Sequence, residues 1–154
     1  MIINTAAFYN PNLISEAASI FGSQSIVVSI DYKKSWSGKK SVFVEAGKKN
    51  TKMDPVSYAL KMEELGAGEL YINSIEREGK RCGYDADTID LIAKKVKIPV
   101  IASGGANNLE DIRDLFKKTQ ISAASAGSLF VFYGDMNGVL INYPDKEKLA
   151  SILK

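Results

Sequence analysis

Ser103, Gly104 and Gly105 stand between the short apolar run Ile98 to Ala102 and a helical period that opens near Leu109. Glycines at such a point adopt backbone angles closed to other residues and leave room for a ligand, while Asn107 or Asn108 can cap the helix that follows. A turn of this kind aims backbone N–H groups at an anion; it is equally a βα turn whose glycines serve geometry alone. Asp31 ends the β-branched run Ser25 to Tyr32, where a carboxylate either meets a ligand or is satisfied by loop N–H groups. The chain has no histidine and a single cysteine, Cys82. That excludes, within this chain, a Ser-His-Asp triad, a His-ligated metal, a His general base and an internal disulfide. Acid–base work falls to carboxylates, lysines or tyrosines, and no metal or cofactor is expected.

The elements that must position these residues repeat one pattern. Strand candidates are Ile2 to Ala6, Ser25 to Tyr32, Glu69 to Ile75, Ile98 to Ser103 and Ile121 to Ser125. Helical periods separate them at Asn12 to Phe21, Pro55 to Leu65, Asp85 to Lys95 and Leu109 to Lys117, and Asp145 to Leu153 closes the chain. Alternation of this kind predicts right-handed βαβ units and a parallel sheet. The insert "KKSWSGKKSVFVEAGKKNTKMDP" breaks the pattern, with Ser41 to Glu45 as one extra strand. Structured long loops are more often functional than decorative.

With 154 residues and 45% apolar content, the chain fits one domain with a real core. Its net charge of +2, with 20 Lys and Arg scattered along it, gives no nucleic-acid footprint. No apolar segment is long enough to span a membrane, and the expected location is cytoplasmic.

Alternating strands and helices admit an open doubly wound sheet or a (β/α)8 barrel. The strand ends read "INTAA", "VSIDYKK", "INSIEREGKRCGYD", "ASGGANN" and "SAGSLF". Each delivers small polar, glycine or acidic residues, as a barrel does on the loops after its strands, whereas a doubly wound fold gathers ligand groups at one switch point.

These motifs resemble the cyclase subunit family (HisF) of imidazole glycerol phosphate synthase. "INTAAFYNPNLISE", "FGSQSIVVSIDYKK", "AGKKNT", "EELGAGELYINSIEREGKRCGYD", "IPVIASGGANNLEDI" and "SAGSLFVF" follow the family's order. The resemblance implies an α/β fold, a partial TIM barrel holding about the C-terminal five βα units. Residues 1–154 then form a single incomplete barrel domain in which the family's first three units, with their own catalytic aspartate, are missing, so the chain by itself is expected to be inactive.

The resemblance also implies chemistry. The family takes ammonia into a lyase and cyclase reaction that makes imidazole glycerol phosphate in histidine biosynthesis, from a ribulosyl-imidazole intermediate with a phosphate at each end. Asp31 matches a catalytic aspartate, a general base or acid. Ser103, Gly104, Gly105, Gly79, Gly127 and Ser128 resemble one phosphate cradle; Asn4 and Thr5 resemble half of the other. Ser74, Glu76, Arg77, Glu78 and Gly79 stand where the family has "S-DRDG", so both aspartates are lengthened, and Ser74 and Glu78 take substrate-contacting positions. Asn73 replaces a usual threonine. Lys48, Lys49 and Thr51 match a basic loop above the active site. Glu69 matches a gate residue on the face where a HisH-like glutaminase subunit docks to supply ammonia.

The tail "YGDMNGVLINYPDKEKLASIL" resembles a branch of the family found with surface-polysaccharide genes, which implies a competing function: ammonia delivery for amidation of a nucleotide-linked sugar. A noncatalytic phosphate-binding half-barrel is the other competitor. An open sheet, with edges at Ile2 to Ala6 and Ile121 to Ser125, would invite pairing with another copy. Neither nucleic acid nor membrane is expected as a partner.

Overall fold

A computed structural model describes residues 1–133 and 138–152. The expected end of the last helix at Leu153 and residues 134–137 of the distinctive tail lie outside the described residues.

Five parallel strands form the centre: β1 (Ile2–Ile3), β2 (Val27–Lys34), β5 (Glu69–Ser74), β6 (Val100–Ser103) and β7 (Ala123–Ala124), in spatial order β1-β2-β5-β6-β7. Between β2 and β5 the insert supplies β3 (Lys40–Val44) and β4 (Lys49–Asn50). These form an antiparallel ribbon that pairs with the end of β2, Asp31 opposite Phe43 and Lys34 opposite Lys40. β1 and β3 therefore share one side of β2 at its two ends. The helices are α1 (Thr5–Tyr9), α2 (Asn12–Phe21), α3 (Pro55–Glu64), α4 (Ala86–Ala93), α5 (Leu109–Lys118), α6 (Ser128–Val131) and α7 (Lys146–Ile152). β8 (Phe132–Tyr133) and β9 (Gly138–Val139) form a separate two-stranded ribbon in the tail.

The expectation of a partial barrel built from five βα units is corrected by these elements. Nine strands and seven α-helices run through the described residues, closer in number to a whole (β/α)8 barrel than to five units. The main sheet has seven strands and is mixed. The difference has a local cause: the insert folds back on β2 with two strands where the sequence suggested one.

Side-chain alternation divides the sheet into two faces. Val28, Ile30, Tyr32, Leu70, Ile72, Val100 and Ala102 are buried with Ile14, Tyr58, Met62, Ile89, Ile92 and Leu115 from the helices. At roughly 25 cal/mol per Å2 of apolar surface, this face supplies most of the driving force for folding. The other face carries Val27, Ser29, Asp31 and Lys33 from β2 and Glu69, Tyr71 and Asn73 from β5, all half-buried. Chemistry-bearing residues therefore lie on the face that the helices do not cover.

Helix boundaries follow their caps. Asp54 precedes α3 and accepts from Ser57 N at 2.9 Å, with Pro55 in the first position, and Asn108 caps α5 by accepting from Asp111 N at 2.8 Å. Glu110 and Asp111 begin α5, and Lys117 and Lys118 end it, as the helix dipole favours.

Candidate functional site

Strand register sets the geometry of the site. Asp31 lies opposite Asn73, and Asn73 lies opposite Ser103, so three polar residues stand side by side across β2, β5 and β6 near their carboxyl ends. With neighbouring strands about 4.8 Å apart, Asp31 and Ser103 are separated by about 10 Å.

Two amides hold the Asp31 carboxylate. Asn73 Nδ2 donates to Oδ1 at 3.0 Å and Asn4 Nδ2 donates to Oδ2 at 3.1 Å. A carboxylate only accepts, so this contact fixes which way the Asn73 amide faces. It leaves Asn73 Oδ1 buried with no hydrogen-bond partner, an acceptor placed beside the acid. Asn4 also reaches Ser29 Oγ at 3.2 Å, and Thr5 Oγ1 both donates to Asn4 Oδ1 at 3.2 Å and accepts from Glu45 N at 3.0 Å. Asn4 thus contacts Asp31 directly, and Thr5 contacts Asn4.

Glu78, Gly79, Gly104, Gly105, Gly127 and Ser128 line one cleft together with Ala106, Ser125 and Ala126. Three loops that are distant in sequence build it, following β5, β6 and β7. Among the described residues, the N–H groups of Gly105, Ala106, Gly127 and Ser128 donate to no backbone or side-chain acceptor. A concavity edged by such groups suits an anion without a cationic side chain. Glu78 puts a negative charge on its rim, which favours a hydroxyl or amide of a ligand there over its phosphate.

The two glycines of the turn after β6 have different neighbours from that cleft. Gly104 has φ +93°, and a Cβ there would lie 2.6 Å from Ser74 O; at Gly105, with φ +105°, it would lie 2.2 Å from Gly83 O. Both are glycine because backbone passes too close for a side chain. At Gly127 a Cβ meets nothing within 4 Å.

Ser74 is not brought to the cleft. Its side chain is fully buried on the helix-covered face of β5, and Oγ has no partner. Glu69 begins β5, opposite Val27 and four residues before Asn73, which places it about 13 Å from the Asp31 end of the sheet.

The ribbon closes one side of the Asp31 end. Lys33, two residues beyond Asp31 on the same face, donates to Gly47 O at 3.2 Å and lies 4.4 Å from the Phe43 ring centre. Tyr9 donates to Glu45, and Lys49 donates to Tyr9 Oη at 2.9 Å while lying over its ring, so the β3–β4 turn is fastened to α1. The Tyr9 contact is the main cause that holds the Lys49 ammonium above its ordinary pKa. Thr51 Oγ1 donates to Val42 O at 2.8 Å, within the ribbon, and Lys48 is exposed.

Behind the sheet lies a second polar cluster. Asp85 accepts from Tyr32 Oη at 3.0 Å and pairs with Lys40 Nζ at 2.7 Å, and Lys40 also meets Thr88. Burial acts to raise the Asp85 carboxyl, but hydrogen bonds from Lys40, Thr88 and Tyr32 and the lysine charge together hold it below the ordinary aspartate range. Burial first, then the Asp85 charge, pushes the Tyr32 phenol far up, so it remains a neutral donor. This cluster ties β3 to the start of α4 and faces away from the cleft.

Asn73 was already marked in the sequence as standing where the family has threonine, whereas Tyr71 was legible only through strand alternation, since residues 69, 71 and 73 must share a face as 29, 31 and 33 do. Among the described residues no group of three His, Cys, Asp or Glu side chains is placed to hold a metal, and no helix is long and apolar enough to cross a membrane.

Fold and site define an α/β protein whose polar groups gather at the carboxyl ends of parallel strands, where proteins of this build hold their ligands. The chain belongs to the histidine biosynthesis protein family, whose model matches residues 1–137. It is 49% identical over 147 residues to a Pseudomonas aeruginosa protein provisionally named imidazole glycerol phosphate synthase subunit hisF2, covering 96% of this chain and 59% of that protein. Imidazole glycerol phosphate synthase subunit HisF of Hydrogenobaculum sp. is 48% identical over 84% of this chain and 52% of its own length. The same subunit of Bacillus cereus is 45% identical over 86% of this chain and 52% of its own. The expectation that the resemblance is to a C-terminal portion only is corrected: the family match runs through nearly all of this chain. The chain spans 52 to 59% of the length of these relatives.

Proposed function

We propose that this chain acts as a HisF-type synthase and cyclase subunit, a lyase that uses ammonia from a partner glutaminase to form imidazole glycerol phosphate in histidine biosynthesis. The observation that carries this reading is a carboxylate, Asp31, held by Asn4 and Asn73 about 10 Å along the strand ends from a cleft edged with unpaired N–H groups. A long substrate with phosphate at its end can be gripped at the cleft while its reacting atoms lie over Asp31.

In this reading Asp31 exchanges protons with the ring-closing intermediate. Asn73 and Asn4 keep the carboxylate oriented, and Asn73 Oδ1 accepts from an N–H or O–H of the substrate. Gly105, Ala106, Gly127 and Ser128 stabilise the phosphate through backbone N–H groups. Glu69, at the opposite end of β5, faces the side where the glutaminase docks and ammonia enters. Expression of the gene in a histidine auxotroph lacking its own cyclase subunit should restore growth without histidine. Soluble protein without growth would overturn the assignment.

A further inference from the structure

We propose that Tyr71 is a positioning residue of the anion cleft, acting through a chain of three hydroxyls that leaves the Ser103 proton free for a ligand oxygen. The inference rests on the phosphate reading of that cleft and adds a residue to it.

Tyr71 occupies the middle of β5 on the face not covered by helices, beside Ile101 of β6. Its hydroxyl donates to Ser103 Oγ at 2.8 Å and lies 3.1 Å from Ser125 Oγ. A phenol has one proton. Because that proton goes to Ser103, Ser125 must be the donor in the second contact, and the chain runs from Ser125 to Tyr71 to Ser103. Ser103 is 5% exposed, and its own proton meets no acceptor among the described residues.

One end of the chain lines the cleft and the other adjoins it. Ser125 lines it, and Ser103 directly precedes Gly104 and Gly105, which also line it. The Ser125 backbone is itself fixed, since Ser125 N donates to Ala102 O at 2.7 Å and Ser125 O accepts from Tyr84 Oη at 2.8 Å. Burial first, then the Asp111 charge, pushes the Tyr84 phenol far up, so this donor persists through neutral pH. The ends of β6 and β7, already paired through the Ser125 N–Ala102 O bond, thus share one further partner, the Tyr71 phenol on β5. Any phosphate monoester oxygen arriving at the turn finds a serine proton already turned from protein acceptors. Without the Tyr71 hydroxyl, Ser103 and Ser125 lose their common partner, and the Ser103 rotor is no longer fixed.

The test is binding of inorganic phosphate and of glycerol 3-phosphate to the folded chain, by calorimetry, with circular dichroism and urea midpoints as folding controls. Tyr71→Phe should weaken both ligands by about fivefold to tenfold, the scale of one ordinary hydrogen bond. Ser125→Ala should weaken them less. A double-mutant cycle separates positioning from packing: in a Ser103→Ala background, Tyr71→Phe should cost nothing further. Equal losses in both backgrounds would overturn the relay, as would parent-like affinity of a folded Tyr71→Phe chain that still binds phosphate. Should Tyr71→Phe fail to fold, parent-like affinity of Ser125→Ala would overturn it. Absence of phosphate binding by the parent chain overturns the cleft reading, and the role of Tyr71 with it.

Discussion

Asn73 donates its side-chain N–H to Asp31 across 3.0 Å, and the two residues are register partners on adjacent parallel strands. One side of the acid is thus oriented from a neighbouring strand, while Asn4 holds the other from the bend after β1. Removing its charge isolates its role: Asp31→Asn should lower ammonia-dependent turnover by about 100-fold or more with little change in substrate affinity. Steady-state kinetics with ammonium salt reads both, and turnover within threefold of the parent would remove Asp31 from the mechanism.

Asn73→Asp replaces a donor by a second carboxylate at the same distance. Two such groups share a proton, and one titrates well above its ordinary value. Because the proposed base must be ionised, the ascending limb of the pH–rate profile should move upward by about one unit or more. An unshifted limb in an active variant would show that Asn73 does not control the protonation of Asp31.

The two ends of the cleft should respond differently to bulk. Gly104→Val drives a side chain into the backbone of Ser74 at a positive φ, so thermal unfolding should show a loss of roughly 3 kcal/mol or an unfolded chain. Gly127→Val meets open space and should fold normally, yet weaken phosphate by about tenfold. Equal stability losses would contradict the close approach of the Ser74 backbone to Gly104.

Acid should weaken the fold through Asp85. Its pKa is lower in the folded chain than unfolded, so its contribution is complete above the ordinary aspartate value of about 3.9 and disappears as pH falls through the folded value. Lys40→Met removes the partner of a carboxylate whose side chain is 8% exposed, and should cost about 2 to 3 kcal/mol at neutral pH. Urea unfolding at a series of pH values checks both. In that variant the fall between pH 5 and pH 2 should be shallower, by about the share that Asp85 contributed.

Elements with strong periodicity were legible from residue order. Asn12 to Phe21 is helical as expected, and the cores of β2 and β5 fall where β-branched runs placed them. Misreadings occurred where neighbours in space decide the outcome. Thr5 and Ala6 belong to a short helix instead of a strand, because β1 has only Val27 and Val28 to pair with. The two strands of the ribbon need the end of β2 as a template, and the hairpin turn holds Glu45 and Ala46 at positive φ, which composition does not announce. At the site, the glycines were visible but not what they pack against, and the lining of the cleft by three separate loops emerges only from the fold.

The fastening of the β3–β4 turn to α1 by Tyr9, Glu45 and Lys49 bears on recognition at the Asp31 end. A flexible loop must surrender conformational entropy when a ligand arrives, about 1 to 2 kcal/mol for each residue it orders. Here the turn is already held before any ligand is present, on one side by the tyrosine and on the other by Lys33 gripping Gly47 O. A ligand bound beside this wall would therefore meet little ordering penalty, because the ribbon is a fixed rim.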